Sequence, residues 1–321
     1  MSDQAIAAEV SEASQTIARC LPGGVPLPRA ASGGPVGLAE ARAYCRALAR
    51  RHYENFMVAS LLLPRALRQP MFHVYAYCRW ADDLADEAGS PQLGLAGVRW
   101  WREELHRCYA GEPRHPVFVA LAETIALFDL PIDPFDDLLT AFERDQTVTR
   151  YPTYEEVLAY CRYSANPVGR LVLYLFGYRD EERQRLSDCT CTALQLANFW
   201  QDVARDLDKD RIYLPLEDME RFGYSEQDLL ARNENDAFRQ LIRFQVERTR
   251  ELFRQGEALR DMVRRRLRLE IDMFSQGGLL VLRMIEEQGY DVLSRRPAIS
   301  KRRQATLFLR RLAAQLVPFG R

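Results

Sequence analysis

The chain has 321 residues, of which 47% are hydrophobic and 28% charged, and its formal net charge is −1. This composition is that of an ordinary globular protein with enough apolar residues to build its own core. A net charge so close to zero gives no electrostatic basis for binding nucleic acid. No stretch approaches the roughly 18 consecutive apolar residues of a membrane-spanning helix, and the N-terminus lacks the basic and apolar regions of a secretory signal.

The seven cysteines are odd in number and include no C-x-x-C pair, and the four histidines show no zinc-ligand spacing. We therefore expect reduced, buried thiols and a cytoplasmic location. The sequence also lacks the G-x-G-x-x-G and G-x-x-x-x-G-K-S/T phosphate loops, which argues against a P-loop or a simple dinucleotide-binding fold.

The order of predicted elements indicates an all-α fold. Residues 1–36 contain repeated glycine and proline breaks and are predicted to be a flexible tail. Residues 37–321 are predicted to form a single helical domain, since strand-type alternation is scarce. The helix-period runs fall at about 38–51, 66–88, 95–110, 115–128, 134–146, 154–164, 168–177, 180–206, 225–232, 235–266, 268–288 and 300–316.

Two of these predicted helices carry an acidic stripe. The first stripe is Tyr75, Arg79, Asp82 and Asp86, and the second is Gln195, Asn198, Asp202 and Asp206. Spacings of three and four residues keep each set on one helix face, so two carboxylates in each stripe point the same way. Such carboxylates repel each other unless a cation lies between them.

Mg²⁺ suits these side chains, because it prefers oxygen ligands and is often held by one or two carboxylates plus substrate phosphates. Asn198 adds a neutral carbonyl oxygen, and the Arg79 guanidinium is suited to phosphate. The competing interpretation is a solvated acidic face, or structural ion pairs made by Arg79 and Arg205. Two matching stripes favour the metal site.

Asn166, Pro167 and Gly169 interrupt the helical pattern after residue 164. They are consistent either with a simple helix boundary or with a kink that makes room for a long apolar substrate. The last quarter of the chain is basic, with 14 Lys/Arg against 6 Asp/Glu from Arg260 to Arg321. A solvated basic face and peripheral contact with an anionic membrane surface both explain this excess.

At its acidic stripes the chain resembles the squalene/phytoene synthase family. The matching segments are VYAYCR at 74–79, DDLADE at 82–87, LQLANFWQDVARD at 194–206 and DRIYLP at 210–215. The resemblance runs from about His52 to Arg296. It implies an isoprenoid synthase fold in which helices surround a central cavity, and in which aspartates hold Mg²⁺ ions that bind a prenyl diphosphate.

The resemblance also assigns roles by position. Metal and diphosphate ligands would be Asp82, Asp86, Asn198, Asp202 and Asp206. Tyr75 and Arg79 would act in catalysis beside them. Substrate contacts would come from His52, Tyr53, Glu54, Asn55, Gln195, Gln201, Arg211 and Tyr213.

Within the family, the chain most resembles the hydroxysqualene synthases of bacterial hopanoid pathways, which act as lyases on presqualene diphosphate. One distinguishing segment is HYEN at 52–55, where many relatives carry Ser or Lys in place of Glu-Asn. The other is QGGL at 276–279, where condensing relatives typically carry a tyrosine. Our hypothesis is that Gly278 leaves space for a water that captures the carbocation, with Glu54 orienting it. The alternatives are a prenyltransferase that condenses two prenyl diphosphates to presqualene diphosphate or a phytoene-type product, and a non-catalytic helical assembly factor.

Overall fold

The computed structural model describes residues 36–51 and 63–298. Three predictions concern residues outside the described ranges: the N-terminal tail predicted at 1–36, of which 1–35 are not described, the segment containing His52, Tyr53, Glu54 and Asn55, and a helix at 300–316. The proposed boundary between a tail and a domain at residue 37 therefore stays a prediction.

The described residues form helices joined by short turns. No β-strand occurs among them, and one parallel bridge joins Arg150 to Ile212. The predicted all-α class is confirmed. The helices are α1 Leu38–Arg51, α2 Arg65–Asp86, α3 Pro91–Tyr109, α4 Pro116–Phe128, α5 Asp133–Asp145, α6 Tyr154–Ser164, α7 Asn166–Leu175, α8 Glu181–Asp208, α9 Leu216–Arg221, α10 Glu226–Leu230, α11 Asp236–Gly256, a 3₁₀ turn Glu257–Asp261 and α12 Arg265–Glu287.

Local sequence signals set many of these boundaries. Ser90, Thr153 and Asp180 each accept a hydrogen bond from a backbone N–H in the first turn of the helix that follows. Pro91 occupies the first position of α3, where a missing N–H has no cost. Pro70 lies inside α2, and the helix continues through it.

The chain forms two compact units. The first comprises Met1–Thr147 with Leu171–Tyr178. Its core is aromatic, and α2 supplies Tyr77 and Trp80, both fully buried. Trp80 stacks on Trp101 with ring centroids 5.4 Å apart, and the Tyr77 hydroxyl donates to the Phe135 carbonyl at 2.9 Å. These contacts fix the rotation of α2 about its axis and hence the direction of its acidic stripe.

The second unit comprises Val148–Arg170 with Arg179–Arg321. Three glycines in this unit allow other helices to pack closely against α8. A Cβ atom at Gly169 would lie 2.4 Å from Ser187 Oγ. One at Gly256 would lie 2.3 Å from Thr190 Oγ1, and one at Gly278 would lie 3.0 Å from Leu194 Cδ2. Real Cβ contacts are essentially never shorter than 3.0 Å, so α7 and α11 approach α8 as closely as they do only with glycine at 169 and 256, while the contact of α12 at Gly278 is tight.

The same contacts bear on the segment at 164–169. Helix α6 ends at Ser164 and α7 begins at Asn166, whose Oδ1 accepts a hydrogen bond from Thr192 Oγ1 at 2.9 Å. The structure therefore shows a helix boundary here. Side chains of α8 occupy the space that a side chain at Gly169 would need, and the hypothesis that a kink makes room for a substrate stays a prediction.

The predicted continuous helix at 235–266 is also wrong. Helix α11 ends at Gly256, a 3₁₀ turn follows, and α12 begins at Arg265. The helical periodicity of the sequence continues across this turn. In the structure, however, the backbone at Gly256 packs directly against α8: a Cβ atom at this position would lie only 2.9 Å from the Leu186 carbonyl oxygen.

The described cysteines are free thiols, as predicted, and three of the six are buried: Cys45, Cys108 and Cys161. Two histidines are buried within the first unit. His73 contacts Thr124 Oγ1 at 2.7 Å, and burial lowers its pKa to about 4. His115 accepts a hydrogen bond from the Val117 N–H, and burial lowers its pKa to about 3. Both are neutral structural residues at neutral pH.

Candidate active site

The acidic stripe of α2 lies on the accessible side of the helix. Tyr75, Arg79 and Asp82 are partly exposed and Asp86 is exposed, whereas Val74, Tyr77, Trp80 and Ala81 on the other side are buried. The Asp82 side chain is 46% exposed, so its carboxylate is accessible to a ligand. Burial raises the pKa of the Tyr75 hydroxyl, which therefore remains a proton donor at neutral pH.

Arg79 is held by carboxylates of its own helix. Its guanidinium contacts Asp82 at 3.3 Å and Glu87 at 3.7 Å, and it forms a shorter ion pair with Asp83. Asp83 is almost fully buried, and burial raises its pKa to about 6 against the opposing effect of Arg79. The structural ion pair considered from the sequence is thus present, and phosphate binding by Arg79 stays a prediction.

The second stripe occupies one side of α8. Asn198 is exposed, while Gln195, Asp202 and Asp206 are partly exposed. The other side of the helix is buried, and Trp200 Nε1 donates to Thr249 Oγ1 of α11 at 2.8 Å. Each unit therefore presents two aspartates on the accessible side of one helix, as the residue spacing predicts.

Both aspartate pairs lie at the C-terminal end of a long helix. Helix α2 ends at Asp86, with no basic residue in its last turn, and α8 ends at Asp208. The C-terminus of a helix carries a partial negative charge of roughly half an electron, which adds to the charge of the aspartates. This placement destabilises the helix ends in isolation and favours a bound cation at each of them.

A cationic side chain already contacts the second pair. The Arg296 guanidinium donates to both carboxylate oxygens of Asp202, with Nη2 3.0 Å from Oδ2. These hydrogen bonds raise the pKa of Arg296 further above its ordinary value. Next to it, Gln201 is buried and donates its amide to the Pro297 carbonyl. In the structure the Gln201 amide is hydrogen-bonded to the Pro297 carbonyl. Its contact with substrate therefore stays a prediction.

Arg211 and Tyr213 follow α8 in a turn that is clamped by Arg150. Arg150 donates to the Asp210 carboxylate at 2.6 Å and to Glu226 at 2.8 Å. Asp210 itself has a positive φ of 56°, which costs free energy for any residue other than glycine. The Arg150 contacts offset this cost and hold Arg211 and Tyr213 close to the end of α8.

Aromatic rings stack beside this turn. Tyr213 lies face to face with Phe199 of α8, with ring centroids 3.8 Å apart, and Tyr151 also stacks on Tyr213, with centroids 5.5 Å apart. A small pocket opens between the stack and the end of α8. The pocket is lined by Phe199, Val203, Asp206, Leu207, Arg211, Ile212, Tyr213, Leu214 and Leu229.

Within residues 36–51 and 63–298, no group of three or more His, Cys, Asp or Glu side chains is arranged to hold a metal ion. Taken separately, each unit supplies one aspartate pair. Carboxylate and amide oxygens are the ligand types that Mg²⁺ prefers. The assignment of Asp82, Asp86, Asn198, Asp202 and Asp206 as the residues that would hold Mg²⁺ stays a prediction.

Three residues of this region did not stand out in the sequence as site residues: Asp83, Arg150 and Arg296. Asp83 is adjacent to the stripe but one step off its face, and its burial depends on tertiary packing. Arg150 and Arg296 lie 60 and 94 residues from their partners. Of the three, Arg296 alone gave any signal, as part of the basic last quarter of the chain, and such a basic excess is typical of a solvated surface.

The expected space at Gly278 is absent, and this corrects our sequence interpretation. A Cβ atom there would lie 2.5 Å from Phe253 Cζ, a buried ring, so Gly278 serves helix packing. At the neighbouring Gly277, an added Cβ would meet no atom of the described residues within 4 Å. Space for a larger side chain or a water therefore exists at Gly277.

This difference makes a prediction about stability. Gly278→Ala should lower the free energy of unfolding by about 1–3 kcal/mol through overpacking. Gly277→Ala should instead raise it by about 0.5–1 kcal/mol, because alanine has the higher helix propensity. Chemical denaturation of the two variants tests this, and equal effects of the two substitutions would contradict the packing described here.

The family follows from comparison with known proteins. The sequence profile of squalene/phytoene synthase matches residues 49–303, which span both units. The chain belongs to the squalene/phytoene synthase family. It is 32% identical over 282 residues to the 15-cis-phytoene synthase of Synechococcus elongatus, covering 84% of this chain and 92% of that protein. The family acts on prenyl diphosphates, which agrees with the aspartate motifs.

Solved structures of this family have the same fold. The squalene synthase HpnC from Alicyclobacillus acidocaldarius superposes with a TM-score of 0.76 and is 47% identical, covering 80% of this chain and 97% of that one. A dehydrosqualene synthase superposes with a TM-score of 0.79 at 26% identity, covering 87% and 98%. The isoprenoid synthase fold is therefore confirmed. None of the helices in the described residues is long and apolar enough to span a membrane.

Proposed function

We propose that this chain converts presqualene diphosphate to hydroxysqualene, releasing diphosphate while water captures the rearranged carbocation. The observation that carries the proposal is the 47% identity to squalene synthase HpnC over 80% of the chain. Identity to the phytoene synthase of Synechococcus elongatus is lower, at 32%. Both aspartate pairs are present and accessible, which supports catalysis over a purely structural role for the helical fold.

The residues near the aspartates suit the departure of diphosphate. A bound Mg²⁺ would supply Lewis-acid chemistry, lowering the free-energy cost of separating diphosphate from its carbon. Arg211 and the Tyr75 hydroxyl are donors at partly exposed positions, and such groups stabilise negative charge as it develops on the leaving group. Arg79 belongs to the same set once its ion pairs with Asp82 and Asp83 are exchanged for phosphate oxygens.

The carbocation left behind requires stabilisation and controlled access to water. Cation–π attraction at an aromatic face is worth about 0.5–2 kcal/mol. Phe199 and Tyr213 both line the pocket that Asp206 also lines, and each covers one face of the other ring. The open position beside Gly277 is our candidate for the water that forms the alcohol. Glu54, the general base suggested by the sequence, lies outside the described residues.

Filling this position should change the product. We expect Gly277→Phe to lower the fraction of alcohol among the products of presqualene diphosphate, because the bulky ring displaces water from the site of capture. Gly277→Ala is the matched control with a small side chain. Products are measured by gas chromatography and mass spectrometry, and an unchanged alcohol fraction in Gly277→Phe would rule out this position as the water site.

A condensing prenyltransferase is the second candidate, and the phytoene synthase relatives favour it. A presqualene diphosphate or phytoene-type synthase would join two prenyl diphosphates and so accept farnesyl or geranylgeranyl diphosphate. A non-catalytic assembly factor is less well supported, since such a protein has no need for two accessible aspartate pairs.

One assay separates these functions. The protein is incubated with MgCl₂ and with farnesyl, geranylgeranyl or presqualene diphosphate, and both released diphosphate and products are measured. We expect release from presqualene diphosphate with an oxygenated C30 product. Release from farnesyl or geranylgeranyl diphosphate but not from presqualene diphosphate would establish a condensing synthase, and release from none of the three would favour the assembly factor.

For the location we propose the cytoplasm, with the basic C-terminal quarter contacting the inner membrane surface. The free thiols agree with a reducing compartment. A basic surface also suits access to an apolar prenyl substrate dissolved in an anionic membrane, because each basic group near the surface contributes about 1 kcal/mol.

A further inference from the structure

The ion pair between Arg296 and Asp202 is built into the second unit. Both carboxylate oxygens of Asp202 accept from the guanidinium, and the two side chains are only 25% and 32% exposed, for Asp202 and Arg296 respectively. Arg205, on the same helix, lies 3.9 Å from Asp202 but is 66% exposed. Arg296 therefore dominates the charge environment of this carboxylate, and Arg205 contributes little.

The segment that carries Arg296 is anchored on both sides of the arginine. Gln288 at the end of α12 donates to the carbonyls of Asp291 and Arg295 at 2.6 and 2.9 Å. On the other side, Gln201 donates to the Pro297 carbonyl. The ion pair is consequently not a chance contact of a long surface side chain, since hydrogen bonds to the backbone on either side hold Arg296 over α8.

Arg296 therefore contacts the same Asp202 oxygens that would bind a metal ion. The guanidinium contacts both oxygens of this carboxylate and occupies about two of its four lone-pair positions. A divalent cation that binds Asp202 is repelled by the adjacent Arg296 charge until the pair opens, so the free energy of opening the pair weakens metal binding. Until then, the pair neutralises Asp202 at the negative end of α8 and fixes its orientation.

We propose that Arg296 is the resident counter-ion of Asp202, a positioning residue that orients the carboxylate, lowers its affinity for the divalent cation and is exchanged for that cation on binding. The identity of the incoming cation rests on the proposed function. The exchange itself rests on the contacts of Arg296 and Gln201.

A double-mutant cycle in stability tests the exchange. The variants Asp202→Asn, Arg296→Gln and their combination are unfolded with urea, once in millimolar MgCl₂ and once in NaCl of equal ionic strength. In NaCl, we expect the effects of the two substitutions on the unfolding midpoint to be non-additive. In MgCl₂ they should become additive, since the metal replaces the arginine. Additive effects in NaCl, or the same coupling in both salts, would overturn the proposal.

Calorimetric titration with MgCl₂ alone provides the second measurement. Arg296→Gln should bind Mg²⁺ about two- to fivefold more tightly than the unmodified chain, the factor expected when a partly exposed ion pair no longer has to open. Arg205→Gln is the matched control and should leave the affinity unchanged. Unaltered affinity in Arg296→Gln, or no Mg²⁺ binding by either protein, would contradict the exchange. No prenyl diphosphate is used, so failure here is distinct from failure of the proposed reaction.

Discussion

Replacing Asp82 or Asp202 by asparagine is expected to lower kcat for diphosphate release by at least about a thousandfold. Each substitution removes one negative charge from an aspartate pair at a helix C-terminus, and that charge is what attracts a divalent cation there. Loss of about 4 kcal/mol of transition-state stabilisation corresponds to this factor. Steady-state diphosphate release from presqualene diphosphate in MgCl₂ measures the effect.

The control for this experiment is Asp208→Asn. Asp208 is the last residue of α8, lies off the stripe and pairs with Arg232. We expect it to retain activity within a few-fold of the unmodified protein, while the circular dichroism of all three variants stays the same. Substantial turnover in both Asp82→Asn and Asp202→Asn would show that the two stripes are not the diphosphate site.

Glu270→Gln is expected to stabilise the protein at pH 8 and above. Glu270 lies in α12, is only 4% exposed, and its Oε1 has no hydrogen-bond partner among the described residues. Burial raises the pKa of this carboxyl from 4.5 to about 8. The folded protein therefore retains a proton that the unfolded chain releases near its ordinary pKa.

The sign of the pH dependence follows from this proton. Between pH 4.5 and about 8 the folded state binds more protons than the unfolded state, so stability falls as the pH rises. Glutamine is neutral and of similar shape, so the substitution removes this loss of stability at high pH. At pH 8–9 the gain should be on the order of a few kcal/mol, since each pKa unit corresponds to about 1.4 kcal/mol.

Urea unfolding of both proteins at pH 5, 6.5, 8 and 9 measures this effect. Glu247→Gln, an exposed glutamate of α11, is the matched control and should leave the pH dependence unchanged. If Glu270→Gln is no more stable than the unmodified chain at pH 8–9, Glu270 has a partner that holds its charge in the folded state.

The helices and the direction of the two stripes were predictable from the sequence because they depend on local periodicity. Tyr75, Asp82, Asn198 and Asp202 lie on the accessible side of α2 and α8, and this side is fixed by the apolar residues that occupy the other one. The order of helices was predictable in the same way, apart from the short helix α9, which the sequence did not predict, and the end of the long helix predicted at 235–266.

Contacts between distant segments were not predictable. The pairing of Arg296 with Asp202 joins residues 94 apart, and nothing in the basic run around Arg296 indicates a partner. Gly277 and Gly278 are adjacent and chemically identical, yet one faces open space and the other faces Phe253. Which glycine is buried depends on the rotation of α12 against α8 and α11, and a sequence pattern containing two glycines leaves that rotation undetermined.

The most direct test of the proposed reaction is to incubate the protein with presqualene diphosphate in water enriched in oxygen-18 and to determine the mass of the product by mass spectrometry. If water captures the carbocation, the C30 alcohol carries the heavy oxygen in proportion to the enrichment of the solvent. A C30 product without the label, whether hydrocarbon or alcohol, would contradict water capture by this protein.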